Sequence, residues 1–168
     1  MAAQQTYELS PSREVRVEDA TPHHWIGTCE SLAILVLRDG SQDDPRHMRE
    51  IDRVIAQLAT KASAPLFLMV VFAPTLTKPP SAAVREAIAA AGPTLTKLSR
   101  GAAVVMGQGF LAAIHRGAMT GILSMLRLPA AVRVVATVPE AIEHIFGRDA
   151  ASWVGLVRLC EERAASKD

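Results

Sequence analysis

The sequence predicts an α/β domain, with a mixed, mostly parallel sheet of five to six strands and four to five helices. Four short apolar runs, at 32–37, 66–73, 102–106 and 132–136, have the length of buried strands and end at turn or capping residues. Between them lie stretches whose apolar residues recur every three or four positions, the period of a helix. Strands that alternate with helices imply right-handed crossovers and parallel pairing.

Composition supports one such domain. The chain has 168 residues, 49% hydrophobic and 21% charged, enough to bury a sizeable core and to exclude wholesale disorder. Aromatic residues make up only 4%, so the core must come from Ala, Val, Leu, Ile and Met. The formal net charge is +1 and the basic residues are dispersed, which gives no drive toward nucleic acid or an anionic membrane. Cys29 and Cys160 are far apart and form no CxxC spacing, so neither a disulfide framework nor a zinc site is expected. Residues 1–12 are polar and lack the apolar stretch of a signal peptide, and no apolar run is long enough to span a bilayer. A cytoplasmic protein is expected, with a flexible arm at 1–12, one domain at 13–163 and a flexible tail at 164–168.

The elements follow in order. Residues 13–19 alternate, with Val15 and Val17 on one face and Arg16 and Glu18 on the other, as in a half-buried strand. Thr21-Pro22 breaks it, and 24–30 reads as a second strand around Trp25 and Ile26. The run 32–37 is apolar throughout and ends at Arg38-Asp39-Gly40. Asp44 caps the first helix and Pro45 fits its first position, where no amide donor is needed. Met48, Ile51, Ile55, Leu58 and Ala62 then form its apolar face. The strand 66–73 leads to a proline-rich loop at 74–81, and a second helix covers about 81–91. The strand 102–106 runs through Gly107-Gln108-Gly109 into a long helix, 110–126. The strand 132–136 ends at a capping box, Thr137 with Glu140, which opens a short helix through Phe146. A last helix, about 150–163, carries Trp153, Leu156, Val157 and Cys160 on one stripe.

The run Leu32–Leu37 ahead of a charged amphipathic helix, the strand at 66–73, the strand at 102–106 entering Gly107–Phe110, and the closing strand and helix from Val132 to Glu140 together resemble the STAS domain of bacterial anti-sigma-factor antagonists. The resemblance covers roughly residues 13–147 and is one of element order and apolar spacing. It implies a non-enzymatic, STAS-like fold that binds a partner protein, sometimes under control of phosphorylation. One feature departs from that family. The antagonists carry a phosphorylatable serine in an Asp-Ser-Ser/Thr-Gly-like turn, whereas the corresponding stretch here is Ala73-Pro-Thr-Leu-Thr-Lys-Pro-Pro-Ser81. No phosphosite is carried over, and Thr75, Thr77 and Ser81 read as loop hydroxyls or a helix cap.

Chemical candidates are few. His23 and His24 are adjacent on an extended segment, so they point to opposite sides and cannot readily share a metal. Cys29 lies five or six residues from them, roughly 15 Å or more along a strand, too far for a thiol–imidazole pair. Gly107-Gln108-Gly109 opens a helix and could hold an anion on its free amides, yet it lacks the third glycine of a dinucleotide fingerprint and the Gly-Lys-Ser/Thr of a P-loop. A tight turn is the simpler reading. Arg116 and Arg127 read as water-facing. Asp43-Asp44 with Arg46, His47 and Arg49 reads as a capped, solvated helix start, with a recognition surface as the alternative. No catalytic residue, metal ligand or cofactor is assigned.

The helix at 110–126 stands out. Phe110, Leu111, Ile114, Ala118, Met119, Ile122, Leu123, Met125 and Leu126 sweep about 220° of its circumference, with His115 inside the arc. A helix lying on a sheet needs about half that width. Either the chain itself covers the helix on two sides, for instance with the Trp153 helix, or the extra flank is a subunit or partner interface. The leading expectation is a non-enzymatic interaction module, a homo-oligomer or part of a heteromeric assembly. Its surfaces would be this flank and the helix at 43–53. The alternative is a nucleotide or lipid pocket at the strand ends near 73–78 and 107–109.

Overall fold

Seven strands form one sheet, and their order across it is their order along the chain. The structure, a computed structural model, describes residues 6–10, 13–41, 43–75, 81–87, 89–90, 99–125, 132–147 and 150–166. The strands are β1 (Thr6–Ser10), β2 (Arg13–Ala20), β3 (His24–Cys29), β4 (Leu32–Leu37), β5 (Leu66–Phe72), β6 (Ser99–Val105) and β7 (Val132–Val135). β1 to β4 pair antiparallel, and β4 to β7 pair parallel.

The expected five to six strands are therefore seven. The additional one is β1, inside the stretch assigned to an arm. It is tied down by Tyr7, which packs against the core and whose hydroxyl accepts a 2.5 Å bond from Arg163 Nη2. The guanidinium of Arg163 also sits 4.8 Å over the Tyr7 ring. One aromatic in a polar stretch gives little periodic signal, so the strand is invisible to pattern alone.

The helices are α1 (Pro45–Lys61), α2 (82–87), α3 (Phe110–Met125), α4 (Val138–Phe146) and α5 (Val154–Ala165), with a 3₁₀ turn at Ala150–Trp153 before α5. Asp44 caps α1 as expected, accepting from the Arg46 amide at 2.8 Å, and Arg46 holds its carboxyl down to about 2 through hydrogen bonds. Thr137 caps α4 by accepting from the Glu140 amide at 3.3 Å. The Glu140 carboxylate reaches back one residue further than a capping box requires, to the Ala136 amide at 3.1 Å.

Because β4, β5, β6 and β7 step across the sheet in one direction, right-handed crossovers put α1, α2 and α3 on one face. α4 and α5 follow β7 and are left for the other. The core divides accordingly. Ile51, Val54, Ile55 and Leu58 of α1 pack with Ala33, Leu35, Leu37, Leu68 and Ala102. α4, the 3₁₀ turn and α5 bring Ala141, Ile142, Trp153, Leu156 and Cys160 onto Leu32, Ile34, Val36, Met69, Ala103 and Val105. Alternation along β4 sends successive residues to opposite cores, and all six are buried. Thus the terminal helices cover the second face of the sheet. Among the described residues no helix is long and apolar enough to cross a membrane.

Candidate functional site

α1 and α3 distribute polarity in opposite ways. α1 is ordinary for a surface helix. Its exposed positions include Arg46, Arg49, Glu50, Arg53 and Gln57, and its apolar side is buried. In α3 the exposed described residues are Leu111, Ala113, Ile114, Gly117, Ala118 and Thr120, none of them charged. Its two basic residues, His115 and Arg116, lie among the half-buried ones. No described side chain of α3 is buried, and Leu111 and Ile114 are 63% and 52% exposed. At 100° per residue the exposed set occupies about half of the circumference, from Thr120 through Gly117 and Ile114 to Leu111. A Cβ placed on Gly117 or Gly121 would meet no described atom of the rest of the chain within 4 Å.

The Trp153 segment does not cover this helix. It packs on the opposite face of the sheet, where Trp153 stacks on Phe146 at 4.6 Å and lies under the Arg13 guanidinium at 4.0 Å. Of the residues proposed from the sequence for an interface, Leu111 and Ile114 are exposed, while His115, Met119 and Leu123 form the half-buried flank. The side chains of Phe110 and Ile122, and all of Leu126, lie outside the described residues. The open side thus includes small residues, Ala113 and Gly117 beside Ala118, and the first two fall outside the apolar arc because they contribute little hydrophobicity. The missed signal was the absence of charge on that side.

The turn before α3 is a glycine turn for conformational reasons. Gly107 and Gly109 have φ of 78° and 99°, a region that side chains disfavour, so the backbone and not a lack of room for a Cβ calls for glycine here. Arg116 does not face water as expected. Its Nη1 donates to the Gly107 carbonyl and closes the turn onto the helix. Gln108 is exposed. Of the loop 73–78 at the neighbouring strand end, Thr75 is exposed and 76–78 lie outside the described residues. The Ser81 hydroxyl accepts from the Val84 amide at 3.3 Å, a cap on α2.

A polar cluster occupies the same end of the strands, where the β2–β3 turn meets the end of β4. His24 is 1% exposed, with Nε2 2.8 Å from Asp19 Oδ2 and Nδ1 3.1 Å from Thr21 Oγ1. That looks like a hydroxyl–imidazole–carboxylate triad. However, the Thr21 oxygen already accepts from the amides of His23 and His24, at 3.2 and 3.1 Å. With both lone pairs engaged and its proton directed at His24 Nδ1 or at the His24 carbonyl 3.5 Å away, the hydroxyl is held within the turn, and the ring beside it is buried. Chemically the set locks a turn. His23 points the other way, as adjacency requires. It stacks on His47 at 4.3 Å, and the two Nδ1 atoms lie 3.1 and 3.3 Å from the carbonyls of Asp39 and Gly40. Arg38, 4% exposed, donates to Thr21 O at 3.2 Å and to Arg163 O at 3.1 Å. Sequence spacing could not pair Asp19 with His24, because the contact depends on where the β2–β3 turn closes. Among the described residues no three His, Cys, Asp or Glu side chains are placed to hold a metal.

Both thiols are buried. Burial pushes Cys29 up to about 11, with Glu30 adding to the effect, and pushes Cys160 up to about 12. Neither forms appreciable thiolate near neutrality. Titration with a chromogenic disulfide at pH 8 should therefore detect no fast-reacting thiol in the native protein and two after denaturation. A rapid native reaction would contradict the burial of these residues.

Comparison with family models, curated proteins and solved structures finds no match for this chain.

Proposed function

We propose that this chain is a non-enzymatic, STAS-like protein-interaction module of the cytoplasm, acting through the exposed half of α3. The observation that carries the reading is the inverted polarity of this helix. Water-facing helices normally place charge outward, as α1 does, and a charge-free exposed half with two bulky aliphatic groups is what a contact surface requires. Support for the STAS assignment comes from the order and apolar spacing of the elements across 13–147. The regulatory role follows from that resemblance, without a phosphoserine switch.

The test is a photo-crosslinking amino acid placed at Leu111 in the chain expressed in its native cell. Its control is the same probe at Glu143, exposed on α4 across the sheet. Specific crosslinks to protein, either to this chain or to another, are expected from position 111 and not from 143. Equal or absent crosslinking at the two positions would remove the reading.

A further inference from the structure

We propose that the occupant of the α3 face is the α3 face of a second copy of this chain, packed about a two-fold axis near Ile114 and Gly121. This rests on the reading of α3 as a contact surface and names its partner.

Charge gives the first reason. A different protein is usually selected by complementary charge around an apolar centre. The exposed side of α3 has none to offer, and the Arg116 guanidinium is drawn back onto the Gly107 carbonyl. A two-fold contact of this side with itself sets uncharged surface on uncharged surface, with no like charges opposed.

Shape gives the second. Ile114, Ala118 and Leu111 form a ridge at about 40–100° on the wheel, and Ala113, Gly117 and Gly121 form a shallow lane at about 300–20°. Ridge and lane lie side by side on one helix. A two-fold axis between them seats each copy's ridge in the other's lane, the self-complementarity an isologous contact needs. The open space at Gly117 and Gly121 lets the helix axes approach closely.

Size sets the expected strength. α3 has 16 residues, about 24 Å of helix at the standard rise. One helix pair of that length buries less than the roughly 800 Å² per partner of a standard interface. The dimer should therefore be concentration-dependent, with a dissociation constant in the micromolar range.

Sedimentation velocity on the purified full chain should show exchange between 18.0 kDa and twice that mass as concentration rises. Ile114→Glu should weaken dimerisation by about 100-fold, because the axis brings two carboxylates together. Ala118→Glu should do the same, and it covers the case in which Ile114→Glu folds poorly. Ala118→Cys should form an interchain disulfide under mild oxidant, while Glu143→Cys should not. A wild-type chain that stays monomeric to millimolar concentration overturns the proposal, as does a dimer indifferent to both glutamate variants. The photo-crosslink at position 111 separates the two levels. If the purified chain is monomeric but that probe captures a different protein, the second-copy inference falls and the interaction module stands. If it captures nothing, both fall.

Discussion

Gly27→Ala should lower stability by about 3 kcal/mol, toward the upper end for an overpacked core, and Gly27→Val by more. Gly27 and Trp25 are two apart on β3, so their side-chain directions share a face. The Trp25 indole folds back across Gly27, and a Cβ built there falls 2.4 Å from its Cη2 and 2.9 Å from its Cζ3. Such contacts require the ring to move. Trp25 is 1% exposed and belongs to the same core cluster as Val15, Leu32 and Leu156, so it has nowhere vacant to go. For a domain of this size the expected drop in melting temperature is roughly 10 °C. Combining Gly27→Ala with Trp25→Leu should cost less than the sum of the two single changes, by about 1 kcal/mol or more, because the smaller side chain vacates the space the methyl needs. Thermal or urea melts of the four proteins would decide it. Additive losses, or a Gly27→Ala variant that melts with the wild type, would show that the ring does not depend on the glycine.

The second large effect is expected at Arg38. It follows the last residue of β4 and is buried, and its guanidinium donates to two backbone carbonyls. One guanidinium nitrogen serves Thr21 O in the β2–β3 turn and another serves Arg163 O in the last turn of α5. A cation at the carbonyl end of a helix is favourable, and here it also ties that end to the sheet. Arg38→Leu keeps apolar bulk but strands both carbonyls, at about 1–3 kcal/mol for each group left unsatisfied. We expect a loss of roughly 3 kcal/mol in all, with the amides of α5 losing hydrogen-exchange protection before those of β4 and β5. Arg38→Lys should recover part of the loss, since a single ammonium replaces one bond of the fork. Uniform loss of protection across the molecule, or none in α5, would contradict this role.

What the sequence made legible was whatever is local. The Asp44 and Thr137 caps, the apolar strands and the amphipathic stripe of α1 each follow from spacing and propensity, and each lies close to where the pattern puts it, except that β6 opens at Ser99, three residues before its apolar run. Arg38 shows the opposite case. It reads as a turn residue after an apolar run, and only the approach of α5, more than a hundred residues later, gives it a buried site. Strand β1 is similar, since Arg163 ties it down from far along the chain, whereas Asp19 and His24 are only five residues apart and their pairing depends on where the β2–β3 turn closes. The wide apolar arc of α3 was legible as an anomaly. Which half of it faces outward was not, because the choice is made by the pose of α3 beside β7 rather than by hydrophobicity.

The order of the sheet also bears on how the chain assembles during synthesis. Each new strand joins the edge left by the one before, so pairing can advance from β1 to β7 as the chain emerges, without long excursions. The cover for one whole face comes last, from α4, the 3₁₀ turn and α5. Until residues 138–165 are available, Leu32, Ile34, Val36, Met69, Ala103 and Val105 form a broad oily surface on an otherwise completed sheet. The interval of greatest exposure to misassociation therefore opens once β7 has joined the sheet and closes when residues 138–165 fold onto it.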